Sequence, residues 1–498
     1  MDEKLYIGID LGTTHIKSAI FREDGTLLQL VKTSTPIAED QYGQIYHPIP
    51  MYEIVRDQIV ILLEQYPKID GISVTGMAEA GLIINRRTLK EETAIIPWFD
   101  RRTVELSTGV SEEQERHNFY STGLRNSFKY GIYKFLWLLQ HGKIEKNDAL
   151  WLSVCDYITW KLTGAFVTDP SFAARTYVYD IVRRCWDQER LGGYGLTTDN
   201  FPKVIPSGEV AGYLSEPLLL HKSQNKSILV GIGGHDHICA AYAVLNDDRE
   251  RICNSVGTAE TYLGIAKGFV NNEDLYHSGM VYGPFTNGSD YYWMGNVPAS
   301  GQSVEWFRKD MQQTEISYEE MNEKLSMSAE EPTDIIFLPF LSGIGTPYFL
   351  PEVSGALIGL RAVHDRWDIL KAILEGVNYQ GRWILSLVPE EVVVKQKEII
   401  CVGGATGSEP WMQIKANILG LPVKIPKVAE ATLLGAVAIL LQRNYGLEYR
   451  QRFLEAYQQH NKEYQVDRRV YELYQEVFQN RYTVLIDSVI KQERSKKV

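Results

Sequence analysis

The sequence predicts an α/β protein of two domains with mixed sheets, and three observations carry that prediction. The chain has 498 residues, too many for one ordinary core. In each half, strand-like runs come first and helices then alternate with strands, the order expected of α/β domains. A less usual device, a strand broken by Gly-Thr and then resumed, stands near the start of each half, at Gly12-Thr13 and Gly257-Thr258. The polar run Asn246-Asp247-Asp248-Arg249-Glu250 marks the boundary, giving domains 1–246 and 247–498.

The first break interrupts an otherwise good strand. Tyr6–Asp10 and His15–Phe21 are both strand-like, and Glu23-Asp24-Gly25 turns into a third run, Thr26–Val31. Strand, turn, strand, turn, strand is an antiparallel meander. A P-loop would need a helix after the turn, so that reading fails on context. A Gly12-Thr13-Thr14 tip has its own chemistry. Gly12 lacks a Cβ and lets the backbone approach a ligand. Successive N–H groups can point at phosphate oxygens, with Thr hydroxyls as further donors. Lys17 on the returning strand could reach the same phosphate, and Asp10 could orient Mg²⁺ through its waters. An ordinary hairpin with a solvated Asp fits this stretch equally well. The second copy, RICNSVGTAETYLGI at 251–265, shifts the balance towards nucleotide binding. Ser255 stands where Asp10 stood, so only the first copy keeps a metal-binding carboxylate.

The remaining elements follow in order. Met51–Gln65 has helical apolar spacing, and Ile72–Thr75 is a strand entering Gly76-Met77-Ala78-Glu79-Ala80-Gly81. Leu82–Asn85 is a strand and Tyr130–Gln140 an aromatic-rich helix. Ser227–Ile232 is a strand leading through Gly233-Gly234-His235-Asp236-His237 into the helical run Ile238–Leu245. In the second half, Ile335–Phe340 is a strand and Trp367–Leu387 a helix. Glu398–Val402 is a strand entering Gly403-Gly404-Ala405, and Pro410–Leu419 and Glu430–Leu441 are helices. After Tyr445 the chain reads as charged helix, with a frayed tail at 491–498.

Composition sets the outer limits. Apolar residues make up 44% and charged residues 23%, so both domains can bury cores. The formal charge is 51 − 63 = −12, which disfavours nucleic acid as a partner. Five scattered cysteines without Cys-x-x-Cys suggest neither a disulfide framework nor a zinc site. Asp2 and Glu3 begin no signal segment, and no apolar run is long enough for a bilayer. The expectation is a reduced, soluble, cytoplasmic protein with no membrane partner.

Taken together, the segments resemble the FGGY family of carbohydrate kinases, within the actin-like ATPase superfamily. Asp10–Thr14 looks like that family's first phosphate hairpin and Asn254–Thr258 like its second. Gly403-Gly404-Ala405 with Trp411-Met412-Gln413 resembles its adenosine-binding turn. Pro347-Tyr348 and Leu374–Gln380 resemble its C-terminal signature region. The resemblance implies two ribonuclease-H-like domains flanking a catalytic cleft. It also implies ATP and Mg²⁺ as cofactors, a small sugar or polyol as partner, and a homodimer as the assembly to look for.

It further assigns roles. The Asp of the Gly-Gly-x-Asp segment, Asp236, becomes the base that accepts the alcohol proton; without the resemblance it reads as a helix N-cap. Asp10 becomes the Mg²⁺ organiser, and Gly12, Thr13, Thr14, Gly257 and Thr258 cradle phosphates, with Lys17 in support. Ser303, Gly404 and Ser408 are candidate nucleotide contacts, although Ser303 reads as well as a helix N-cap. At the sugar end, Ala78-Glu79 aligns with a substrate-gripping pair that is Arg-Glu in glycerol kinases and Met-His in xylulokinases. This chain keeps only the Glu. Glu79 suits the hydroxyls of a polyol or ketose and would repel an acid sugar unless Arg101 or Arg102 faced it. Trp98 could pack on the sugar or be a core tryptophan. Asp100 resembles a substrate-side Asp, and His237 could touch substrate or merely cover the cleft. A ketopentose or polyol kinase is favoured. A gluconate-type aldonate kinase and a non-catalytic nucleotide switch of the actin or Hsp70 type are the alternatives.

Overall fold

The computed structural model describes residues 3–269, 272–390, 395–428, 430–457 and 459–495. The chain divides into two units: Met1–Asn246 with Tyr282–Tyr292 and Ala429–Gln458, and Asp247–Val281 with Trp293–Val428 and Gln459–Val498.

The first unit is built on six strands: β1 (Leu5–Leu11), β2 (His15–Arg22), β3 (Leu27–Ser34), β4 (Gly71–Gly76), β5 (Val210–Tyr213) and β6 (Leu229–His235). Their order is β5-β6-β4-β1-β2-β3. β1 is buried from end to end, as a strand with neighbours on both edges and layers on both faces must be. It runs antiparallel to β2 and parallel to β4, and β4 runs parallel to β6. Leu5, Ile7, Ile9 and Leu11 join one core with Met51, Val55, Ile59 and Leu62 of the helix Pro48–Gln65. The alternation of side chains along a strand turns the even positions to the other face, where Gly8 meets Leu433 and Val437. That face is covered by the helix Ala431–Tyr445, which also packs along Asp236–Leu245. Gly435 sets this helix pair: a Cβ there would lie 1.8 Å from the Cys239 carbonyl oxygen, so any other residue would push the helices apart.

The second unit repeats the plan. A second sheet, built mainly from this unit, contains β7 (Arg251–Val256), β8 (Glu260–Ala266), β9 (Val281–Pro284), β10 (Tyr291–Val297), β11 (Glu398–Val402), β12 (Val423–Pro426) and β13 (His460–Tyr464). The order is β9-β10-β8-β7-β11-β12-β13. β7 is antiparallel to β8 and parallel to β11, β11 is parallel to β12, and β13 closes the edge antiparallel.

The main division falls at Asn246/Asp247, with Tyr282–Tyr292 and Ala429–Gln458 counted with the first unit. Two readings of the sequence need amendment. The region after Tyr445 contains β13 as well as helices. The tail is helical through Ser495, and residues 496–498 lie outside the described residues.

Candidate active site

In the first unit, three parallel neighbours, β1, β4 and β6, end side by side, the usual place for ligand chemistry in an α/β sheet. Asp10 lies opposite Thr75 in the β1–β4 register, and Thr75 Oγ1 donates to the Gly234 carbonyl at 2.6 Å. Met77 N–H bonds the Leu11 carbonyl at 3.0 Å, tying the Ala78-Glu79 loop to the end of β1. Asp10, Glu79 and Asp236 are thereby gathered around one end of the sheet.

Gly12, Thr13 and Thr14 stand outside the β1–β2 ladder, which ends at Leu11 opposite Ile16. The tip is held by Gly12 N–H on the His15 carbonyl at 3.1 Å and by Thr35 Oγ1 on the Gly12 carbonyl at 2.7 Å. Trp98 is 39% exposed, which removes the core-tryptophan reading, and its Nε1 donates to Thr13 Oγ1 at 3.0 Å. Lys17 faces Asp10 across the ladder but forms an ion pair with Glu430 at 2.7 Å.

Asp10 is 9% exposed, and its Oδ1 is buried with no hydrogen-bond partner. Burial and then the nearby Asp236 push its pKa up to about 8, against the pull of Lys17. Asp236 is more open, with a side chain 27% exposed, and is the first residue of its helix, where the dipole favours a carboxylate. Burial also raises its pKa and Glu79 adds to this, while His237 and Arg175 pull the other way. His237 N–H donates to Asp236 Oδ1 at 2.6 Å.

Glu79 departs from the sequence reading most. Burial alone would raise its pKa, but Arg175, together with Lys129 and Lys134, outweighs burial and holds the carboxyl below its ordinary value. Arg175 grips Glu79 Oε1 through Nε at 2.8 Å and also through Nη2. An arginine from residue 175 thus stands beside the Glu whose sequence neighbour is Ala78, a 2% exposed side chain with no polar group. Glu79 also has φ +60°, a left-handed conformation that costs a non-glycine residue of the order of 1–3 kcal/mol and gathers at functional sites. Neither arginine considered from sequence is the partner: Arg102 is committed to Asp100 and Asp40, both at 2.8 Å, and Arg101 lies over the Phe128 ring. Asp100 is therefore an ion-paired carboxylate, with Arg102 occupying both its oxygens.

In the second unit the tip Gly257-Thr258-Ala259 is exposed. Gly301 N–H and Gln302 N–H bond the carbonyls of Gly257 and Thr258, both at 3.0 Å. The Gly403-Gly404 turn lies against Val256 at the base of this hairpin, with Gly404 exposed. Glu260, immediately after the tip, forms a fully buried ion pair with Lys415 and accepts Ser300 Oγ at 2.8 Å. Two of the sequence's candidates are otherwise engaged. Ser303 is fully buried within the helix Gly301–Glu305, and its hydroxyl donates to the Ala299 carbonyl at 2.5 Å. Ser408 is buried and donates to Asn322 Oδ1 at 2.6 Å. Each hydroxyl's proton is thus directed to a partner within the protein.

Sequence reading missed Arg175, Glu430 and the Lys415–Glu260–Ser300 cluster. Only Asp169-Pro170, a helix-start pair, signalled that structured chain surrounds Arg175. Among the described residues no helix is long and apolar enough to cross a membrane.

Two mixed sheets on one plan, each with a glycine-tipped hairpin beside a parallel strand, define the two-domain ribonuclease-H-like fold of actin-like ATPases. The family models for the N-terminal and C-terminal domains of the FGGY carbohydrate kinases match residues 5–243 and 254–441. The chain belongs to the FGGY family of carbohydrate kinases and is an ATP-dependent sugar kinase. A glycerol kinase of Saccharolobus islandicus is 28% identical over 462 residues, covering 90% of this chain and 89% of the relative. A gluconate kinase structure from Lactobacillus acidophilus superposes with TM-score 0.88 at 22% identity, covering 98% of this chain and 99% of that one. A ligand-bound xylulose kinase structure from the same organism gives TM-score 0.88, 22% identity and 98% coverage of both. Likeness at this level shows the fold.

Proposed function

We propose that the enzyme transfers the γ-phosphate of ATP to a hydroxyl of a ketopentose or polyol, with Asp236 as proton acceptor. The observation that carries this reading is the contrast among the three acids at the sheet end. Glu79 is ion-paired and Asp10 is enclosed, whereas Asp236 is partly open at a helix N-terminus. In the reaction, the acceptor O–H bond breaks and its proton passes to Asp236. The oxygen keeps the electron pair and bonds to the γ-phosphorus, and the bond from phosphorus to the bridging oxygen of ADP breaks.

The Glu79–Arg175 pair offers a carboxylate acceptor and a guanidinium donor together, which suits vicinal hydroxyls. Arg175 thus supplies, from a distant segment, the cation absent at Ala78. Exposed Trp98 suits the C–H face of a sugar, and Asp100 and His237 complete the acceptor side. Amides of Thr13 and Thr14, and separately those of Thr258 and Gly404, are assigned to the nucleotide; Gly12 and Gly257, whose own N–H groups close the tips, let the backbone approach it, and Lys17 is held by Glu430.

Mg²⁺ fits Asp10: the enclosed carboxylate has an orphaned oxygen and a raised pKa, and its cationic neighbour Lys17 is ion-paired to Glu430. Bound there through water, the ion would neutralise phosphate charge. A cytoplasmic location is part of the proposal, and five unpaired thiols suit a reducing compartment.

The test is a coupled ADP assay over C3 to C7 polyols, ketoses and aldonates, run on the native enzyme and on Asp236→Asn. The variant is expected to bind ATP normally and to lose roughly 10³-fold in kcat. Full turnover by Asp236→Asn would remove the residue from the reaction, and sugar-independent slow hydrolysis throughout would favour a nucleotide switch.

A further inference from the structure

His235, Asp236 and His237 are consecutive, at the point where β6 passes into the helix Asp236–Leu245. Two imidazoles and a carboxylate are the ligand types of a borderline divalent cation such as Zn²⁺. Their placement agrees. One donor atom from each residue lies within 4.8 Å of the other two. His235 Nε2 stands 3.1 Å from Asp236 Oδ1. In a tetrahedral site with bonds of about 2.0 Å, neighbouring ligand atoms sit about 3.3 Å apart, so this pair already has the spacing. The third residue, His237, is only half-buried, and its ring centre lies 5.4 Å from that of His235. Closing the site asks for a movement of this less enclosed ring.

A second observation points to a cation. His235 is 5% exposed, yet among the described residues neither of its ring nitrogens makes a hydrogen bond. Nδ1 is buried without a partner, and the approach of Nε2 to Asp236 Oδ1 is a close contact only. A buried polar ring with no partner costs stability and needs an explanation. Two electron-rich atoms at this distance, with no proton shared between them, repel; an ion bound to both removes the repulsion.

The backbone that carries the three side chains is fixed. Thr75 Oγ1 donates to the Gly234 carbonyl at 2.6 Å, and His235 N–H donates to Ser171 Oγ at 2.8 Å. His237 N–H donates to Asp236 Oδ1 at 2.6 Å, which holds the carboxylate beside both rings. The charges nearby are mixed: Asp10 and Glu79 favour a cation, whereas Arg175 and Lys129 oppose it. The donor set, rather than the field, therefore selects the ion. Mg²⁺ prefers oxygen ligands and keeps its waters, which suits Asp10, whereas two imidazole nitrogens select Zn²⁺.

We propose that His235, Asp236 and His237 form an inhibitory site for a divalent cation of the Zn²⁺ class, in which the bound ion takes the Asp236 electron pair that would otherwise receive the alcohol's proton. The inhibitory half rests on Asp236 being the proton acceptor.

The experiment uses the full-length enzyme, with Cys185→Ser throughout because that exposed thiol is a competing ligand. Equilibrium dialysis against Zn²⁺ in excess Mg²⁺, followed by metal analysis, reads binding. ADP formation from ATP with whichever of glycerol, xylulose or gluconate turns over fastest reads inhibition, each variant against its own metal-free rate. If none turns over, dialysis decides alone. A single saturable Zn²⁺ per chain is expected at micromolar concentration. Loss of an outer partner of a metal ligand already costs about 10–100-fold in affinity, so His235→Gln and His237→Gln should each weaken binding roughly 100-fold, and inhibition by the same factor. No Zn²⁺ retained by the parent chain, or retention unchanged in both variants, overturns the site. Retention without inhibition overturns the inhibitory role. Native turnover by Asp236→Asn overturns instead the reading of that residue as the base, and dialysis still decides the metal site. If His235→Gln does not fold, His237→Gln carries the test.

Discussion

The β1–β2 and β7–β8 hairpins have nearly the same backbone and opposite chemistry. Each has a three-residue tip, Gly12-Thr13-Thr14 or Gly257-Thr258-Ala259, between antiparallel strands. Each first strand runs parallel to a neighbour that enters a glycine-containing turn, at Gly76 or Gly403. The residue two before the tip is Asp10 in one and Ser255 in the other, and their ladder partners are Lys17 and Thr261. The next parallel strand delivers His235-Asp236 in the first unit and Pro426-Lys427 in the second. One frame thus gathers three acids, while the other keeps its exposed end neutral and buries its ion pair, Glu260–Lys415. The lesson is that the fold supplies two equivalent stages, and a handful of side chains decides which one gathers the acids.

The sharpest way to break this comparison is the Asp236→Asn loss given above. Next comes Asp10→Ala, expected to lower kcat roughly 100-fold and to abolish its steep Mg²⁺ dependence. A titration of rate against metal checks it, and the reverse swap, Ser255→Asp, should confer no new metal response. The two buried pairs come third. Arg175→Met and Lys415→Met each strand a carboxylate, so each should cost about 3–5 kcal/mol in denaturant unfolding. The comparison sharpens if Arg175→Met also raises the KM for sugar while Lys415→Met raises that for ATP.

A smaller effect concerns pH. The folded pKa of Glu79 lies below its unfolded value of 4.5. Stability from this carboxylate is therefore complete above that value and is lost as pH falls through the lowered folded pKa. Glu79→Gln should flatten the acid limb of a melting-temperature profile below about pH 4.5. The smallest effect belongs to Ser303→Ala. Because that hydroxyl bonds the Ala299 carbonyl, the KM for ATP should change less than about twofold.

What could be read in the sequence was what depends on neighbours along the chain. Hairpin tips, strand ends and glycine turns are local, so Asp10, Gly12, Gly257 and the Gly233-Gly234 turn were all visible. The partners of charged groups were not. Arg175 lies 96 residues from Glu79, and Lys17 lies 413 residues from Glu430. No periodicity encodes such pairings, because they arise only when separate segments meet. For the same reason Ser303 and Ser408 looked available: a hydroxyl's partner is a tertiary fact. Trp98 shows the opposite case, its aromatic character suggesting core while its neighbours left it at the surface.

The helix Ala431–Tyr445 carries a consequence for how the protein is made. It covers one face of a sheet whose strands were all complete by His235. During synthesis, nearly two hundred further residues must emerge before that greasy surface is sealed. A gene fragment ending at the domain boundary should therefore yield an aggregating product, and adding the late helix back as a separate peptide should rescue its solubility.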